Sequence, residues 1–87
     1  MVRVHYSDHF LKYASRLPRE PQAKLARLTV FLRENPYHPL LHTKPLSGDL
    51  AGLYSFRITR EFRVLFKFLS PDEIMLLDVG DRKFIYR

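Results

Sequence analysis

The chain has 87 residues, too few for two independent cores, so a single domain spanning 1–87 is expected. Hydrophobic residues make up 46%, with seven Phe and five Tyr, which excludes a disordered chain. The absence of cysteine excludes disulfide scaffolds, thiolate zinc sites and cysteine nucleophiles. Fifteen Lys plus Arg against nine Asp plus Glu leave a net charge of +6, and ten of those cations are Arg, whose planar fork suits phosphate. No apolar run approaches the roughly 20 residues of a membrane span. The start, MVRVHYSDHF, lacks the apolar middle of a signal peptide. A cytoplasmic domain with a nucleic-acid or acidic-protein partner, and no membrane, is the resulting expectation.

Residues 2–6 alternate, with Val2, Val4 and Tyr6 on one side, which predicts a short strand. Ser7 suits a helix cap and Asp8 its first turn. Phe10, Tyr13, Ala14 and Leu17 then form one helical stripe, ended by Pro18. A second helix is expected from Pro21, with Leu25, Leu28, Phe31 and Leu32 as its apolar face and Asn35-Pro36 as its stop. Residues 36–52, PYHPLLHTKPLSGDLAG, read as a long loop of the kind that often carries function. From Leu53 the period becomes two. Tyr54, Phe56 and Ile58 face one way, and Leu53, Ser55, Arg57 and Thr59 the other. Phe62, Val64, Phe66 and Phe68 continue the first face; Arg63, Leu65, Lys67 and Leu69 continue the second. Ser70-Pro71-Asp72 predicts a turn, and 73–79, apolar on both faces, a central strand. The class is α+β: a strand, a two-helix hairpin, and a three-stranded antiparallel meander to which the first strand adds.

The meander fixes one juxtaposition. Opposed residues of an antiparallel pair share a face, so Ile58 belongs opposite Phe62, with Thr59-Arg60-Glu61 as the loop. Arg57 then lies opposite Arg63. Like charges so placed destabilise a sheet unless an anion or carboxylates neutralise them, and Asp78 and Glu61 are the nearest acids. Arg82 is expected at the same edge of the same face, with Tyr86 near it. Cations beside a stacking aromatic suit single-stranded RNA. The open face also carries Leu53, Leu65 and Leu69, which either receive a partner's apolar side chains or pack under the loop.

Other constellations carry less. His5/His9 and His38/His42 are spaced by four, but the first pair straddles a strand and a helix and the second lies in a proline-interrupted loop, so no metal site is expected. His42 stays a candidate ligand contact from that loop. No glycine-rich phosphate loop exists, and no Ser-His-Asp arrangement is favoured. Arg16, Arg19, Lys24, Arg27 and Arg33 read as solvated helix faces able to make shallow phosphate contacts.

Three stretches, taken in order, carry a resemblance: the opening strand and helices ending in ENP at 34–36, KPLSGDLAGLYSFRITREFRVLF at 44–66, and LLDVGDRKFIYR at 76–87. Over nearly its whole length the chain resembles the RelE/ParE superfamily of toxins from bacterial toxin–antitoxin pairs. The resemblance implies a RelE-like fold, no cofactor, and a cognate antitoxin bound in a hetero-oligomer. Two activities occur in that superfamily. One branch, RelE and YoeB, cuts mRNA in the ribosomal decoding site; the other, ParE, inhibits DNA gyrase without nuclease activity. The 47–66 stretch is more similar to the first. On that branch's pattern Arg57, Arg63, Arg82 and Tyr86 are the implied catalytic residues, and Lys44, Ser55, Lys83 and Arg87 the implied substrate-binding ones. Ser55 stands where the RelE type often has lysine, Lys44 where the YoeB type has a glutamate base, and Arg82 where many relatives have histidine. A decayed homologue that only binds its antitoxin is the third alternative.

The implied reaction is attack of a ribose 2′-OH on its own 3′-phosphate, leaving a 2′,3′-cyclic phosphate and a 5′-OH. It needs a base, charge stabilisation at phosphorus and an acid for the leaving oxygen. Arg57 and Arg63 suit the second role. Arg82 suits phosphate binding better than proton donation. Lys44 or Lys83 would serve as base only with a depressed pKa.

Overall fold

The computed structural model describes residues 1–85. Its elements are β1 (Arg3–Tyr6), α1 (Asp8–Ala14), α2 (Arg19–Glu34), β2 (Lys44–Pro45), β3 (Tyr54–Arg57), β4 (Phe62–Ser70) and β5 (Glu73–Asp81). Single 3-10 turns at Pro39–Leu41 and Gly48–Leu50 flank β2. The α+β class expected from the sequence is the one observed.

Local chemistry sets the helix bounds. The Ser7 Oγ accepts from the Phe10 N–H at 3.0 Å, capping α1, and donates to the Leu77 carbonyl at 3.1 Å, tying the cap to β5. α1 stops at Ala14, so Leu17 lies beyond it, although still packed against the core. α2 begins two residues earlier than Pro21, at Arg19, because Pro18 adopts an extended cap geometry and its carbonyl accepts from Gln22 N–H at 3.0 Å. The Gln22 side chain donates back to the Ala14 carbonyl at 3.0 Å, joining the two helices.

The sheet has five strands in the order β1-β5-β4-β3-β2. β1 runs parallel to β5, and all other pairs are antiparallel. β5 therefore lies between β1 and β4, as its two apolar faces require. Its ladder with β4 is interrupted: Leu65 pairs with Asp78 but Phe66 with Leu76, leaving Leu77 as an extra residue. Such a bulge bends the strand locally.

The core lies between the helices and one face of the sheet. Phe10 of α1 and Leu25, Leu28 and Leu32 of α2 meet Phe56, Ile58, Val64, Phe66, Ile74, Leu76 and Val79. This is the face expected from the period-two pattern. The long loop is the main correction. Residues 36–52 are not structureless, because Leu41 is fully buried and pins the first turn, while Lys44–Pro45 pairs with β3. The second face is also more covered than expected. Leu65 is buried outside the main cluster, Leu53 is half-buried, and Leu69 alone of the three expected there is well exposed. No helix among the described residues is long and apolar enough to cross a membrane.

Candidate nucleic-acid interface

The β3–β4 hairpin has the register expected from parity. Phe56 pairs with Val64 and Arg57 with Arg63; the Ile58 N–H donates to the Phe62 carbonyl at 3.0 Å. β4 continues the row into β5, where Arg63 pairs with Gly80. A Cβ added at Gly80 would meet nothing within 4 Å. The position beside Arg63 on β5 thus carries no side chain and faces open space. The Arg82 N–H donates to the Glu61 carbonyl at 2.7 Å, bringing the residue after β5 against the β3–β4 turn. Arg57, Arg63 and Arg82 consequently share one end of the sheet.

Their surroundings differ. Arg57 is exposed and Arg82 is exposed. Arg63 is not on open surface: it is buried, at 9% exposure. Its Nη1 donates to the carbonyls of Thr59 at 2.7 Å and Arg60 at 3.1 Å, with a longer contact to Phe62 at 3.4 Å. One guanidinium nitrogen therefore shapes the hairpin turn. The Thr59 hydroxyl completes that turn by accepting from the N–H groups of Glu61 and Phe62, each at 3.2 Å.

None of the three arginines forms an ion pair with a carboxylate among the described residues. Of the two acids expected to neutralise them, Glu61 is exposed in the hairpin turn and ion-pairs with none of them, and Asp78 is engaged elsewhere. Asp78 accepts from the Val79 N–H and pairs with His9 Nε2, at 2.8 and 2.9 Å. Glu73 pairs with Arg3 and His5 at the far edge of the sheet. Opposed cations without an internal counterion make a place for an external one.

The remaining candidates scatter around this centre. Ser55 is only 1% exposed, so a ligand reaches it only if its cover moves. Lys44, opposite Ser55 in the β2–β3 pair, is exposed, and both residues already make contacts of their own. Lys83 is exposed in the turn after β5, with its N–H on the Asp81 carboxylate at 2.8 Å. Tyr86 and Arg87 lie outside the described residues. Gly80 was missed by sequence reasoning, although extending the β4–β5 register from Val64 opposite Val79 would have found it. Among the described residues no group of three or more His, Cys, Asp or Glu could hold a metal ion.

No family model matches the chain, and no curated protein matches it. Solved structures do. The YoeB/ParE toxin from Agrobacterium tumefaciens is 21% identical with a TM-score of 0.78, over 93% of this chain and 99% of that one. The RelBE2 toxin–antitoxin complex from Mycobacterium tuberculosis gives 23% identity and 0.77, over 93% and 98%. The archaeal RelE–RelB complex from Pyrococcus horikoshii gives 20% and 0.77, over 95% and 97%.

Proposed function

Starting from a RelE-type fold, we propose that this chain is the toxin of a toxin–antitoxin pair and acts as a ribosome-dependent endoribonuclease on mRNA. The observation that carries the reading is that Arg57, Arg63 and Arg82 stand at one sheet end with no carboxylate partner among the described residues. Guanidinium groups there would hold the scissile phosphate and offset the charge that develops on it. The 2′-oxygen attacks phosphorus, the P–O5′ bond breaks, and a 2′,3′-cyclic phosphate and a 5′-OH remain. The ribosome would supply much of the in-line geometry, so free RNA should be cut poorly. An antitoxin partner is supported by two of the structural neighbours, which are complexes with antitoxins, and by the +6 charge, which suits an acidic segment.

The test is induced expression in growing cells, followed by primer extension on a translated message. Cuts that require translation and vanish in Arg57→Ala support the nuclease. Intact messages with accumulating cleaved DNA would instead assign the gyrase activity of the ParE type. Normal growth with neither product would mean a chain that only binds its antitoxin.

A further inference from the structure

The β2–β3 ladder pairs Lys44 with Ser55 and Pro45 with Tyr54. Continued by two residues, the same register brings His42 level with Arg57. The chain leaves extended geometry at that point. His42 has φ 52° and ψ 43°, and is the only non-glycine residue of positive φ among the described residues. An L-residue reaches this region against steric resistance, and residues kept there gather at binding and catalytic sites. The backbone is well held: the His42 N–H donates to the Pro39 carbonyl at 3.3 Å, and the adjoining Leu41 is fully buried. The imidazole is exposed, with no hydrogen-bond, ion-pair or ring partner among the described residues.

His42 lines a cleft of about 320 Å³ between α2 and the end of β3. The charged groups facing it are Lys24 from α2, Arg57 from β3 and Arg60 from the hairpin turn, above an apolar wall of Leu28 and Ile58. No carboxylate lines the cleft. A nucleotide phosphate entering it would meet cations and one imidazole, whose ring nitrogen can accept a proton. Guanidinium and ammonium groups only donate, whereas a neutral imidazole carries one ring nitrogen that accepts.

We propose that His42 is the general base of the cleavage, taking the 2′-hydroxyl proton of the nucleotide whose 3′-phosphate Arg57 grips. This rests on the nuclease reading. In the step, the 2′-oxygen bonds to phosphorus as its proton passes to a ring nitrogen of His42. The P–O5′ bond breaks and the departing oxygen takes a proton from water. The imidazolium then returns its proton to solvent. His42 thereby fills the role that Lys44 fills poorly, since a lysine must first lose its charge to act.

The experiment uses His42→Gly and His42→Asn in the ribosome-dependent assay with purified components. Both residues accept the left-handed backbone, and glycine does so without steric cost, so the fold survives. Each variant should lose on the order of 10²–10³ in the rate of cutting bound message, with little change in ribosome affinity. Free imidazole should restore part of the rate to His42→Gly and none to Arg57→Ala. Cutting within about threefold of wild type by both variants overturns the assignment. If the wild type cuts in translation and only this result fails, the nuclease reading stands without His42. If the wild type makes no cuts, both fall.

Discussion

Replacing Arg63 by alanine separates the arginine that builds the turn from the arginine that faces solvent. Arg63 is buried, and its Nη1 reaches three carbonyls of the hairpin, two of them within 3.1 Å. Hydrogen bonds from a charged donor contribute about 1.5–3 kcal/mol net. The turn itself is near the surface, with Arg60 exposed and Thr59 half-buried, so the carbonyls can rehydrate and the low end applies. A loss of about 1.5 kcal/mol in a domain of this size lowers Tm by roughly 6–12 °C. Arg57→Ala removes an exposed side chain with no partner among the described residues, so its stability should stay within about 0.5 kcal/mol of wild type. It should even gain slightly, because the opposed like charge is relieved. Both variants should lose on the order of 10²–10³ in cleavage if guanidinium groups stabilise the phosphorane. Thermal melts by circular dichroism alongside translation-dependent primer extension decide the matter. Equal melting temperatures for the two variants would refute the turn-clamp role of Arg63. Undiminished cutting by Arg57→Ala would remove that residue from the site.

Gly80→Ala should fold and gain about 0.5–1 kcal/mol in a urea titration, since a strand glycine is entropically costly and its Cβ position is empty. Gly80→Leu should keep the fold but lower cleavage by filling the open space beside Arg63, and unchanged cleavage would mean that no substrate atom lies there. Ser70 Oγ donates to the Asp72 carboxylate at 2.8 Å and, with smaller help from its own backbone and Arg3, holds that pKa below the ordinary carboxylate value. A pKa depressed in the folded state contributes stability above the unfolded value and loses it as pH falls through the folded one. Ser70→Ala should therefore raise the Asp72 pKa and shrink that acid limb; an unmoved NMR titration would discard the hydrogen bond as its cause.

How far the sequence was legible depends on period and depth. Strict alternation over 53–68 settles which residues share a face, and from that alone Ile58 meets Phe62 and Arg57 meets Arg63. Alternation says nothing of how deep a residue lies. Arg63 and Leu65 were placed on the correct side but are buried, and Ser55 with them. A two-residue strand such as Lys44–Pro45 is too short to show a period, so β2 was hidden within a proline-rich loop. The one local hint was Leu40-Leu41 amid polar residues, and Leu41 is indeed the anchor. The bulge at Leu77 is equally silent, because a strand apolar on both faces gives no register signal. Tyr86 and Arg87 carry expectations that the described residues do not reach.

The distribution of acids leaves the two opposed arginines of this net +6 chain without a carboxylate partner among the described residues. Glu73 is taken by Arg3 and His5, and Asp78 by His9, all toward the β1 and α1 side of the sheet. Asp72 is turned to Ser70 in the β4–β5 turn, and Asp81 to the Lys83 N–H. The hairpin end exposes Arg57, Arg60 and Arg82 beside Glu61, which ion-pairs with none of them. Arg63 survives there because one of its nitrogens points into carbonyl oxygens, which partly offset its charge and fix its plane. The pair is thus unequal: one guanidinium is anchored, the other stands free beside the cleft that His42 shares. An anchored cation would give a bound phosphate a defined position. Preorganisation of that kind counts for more than added positive charge, because a dipole or cation already in place need not reorganise when the bond breaks.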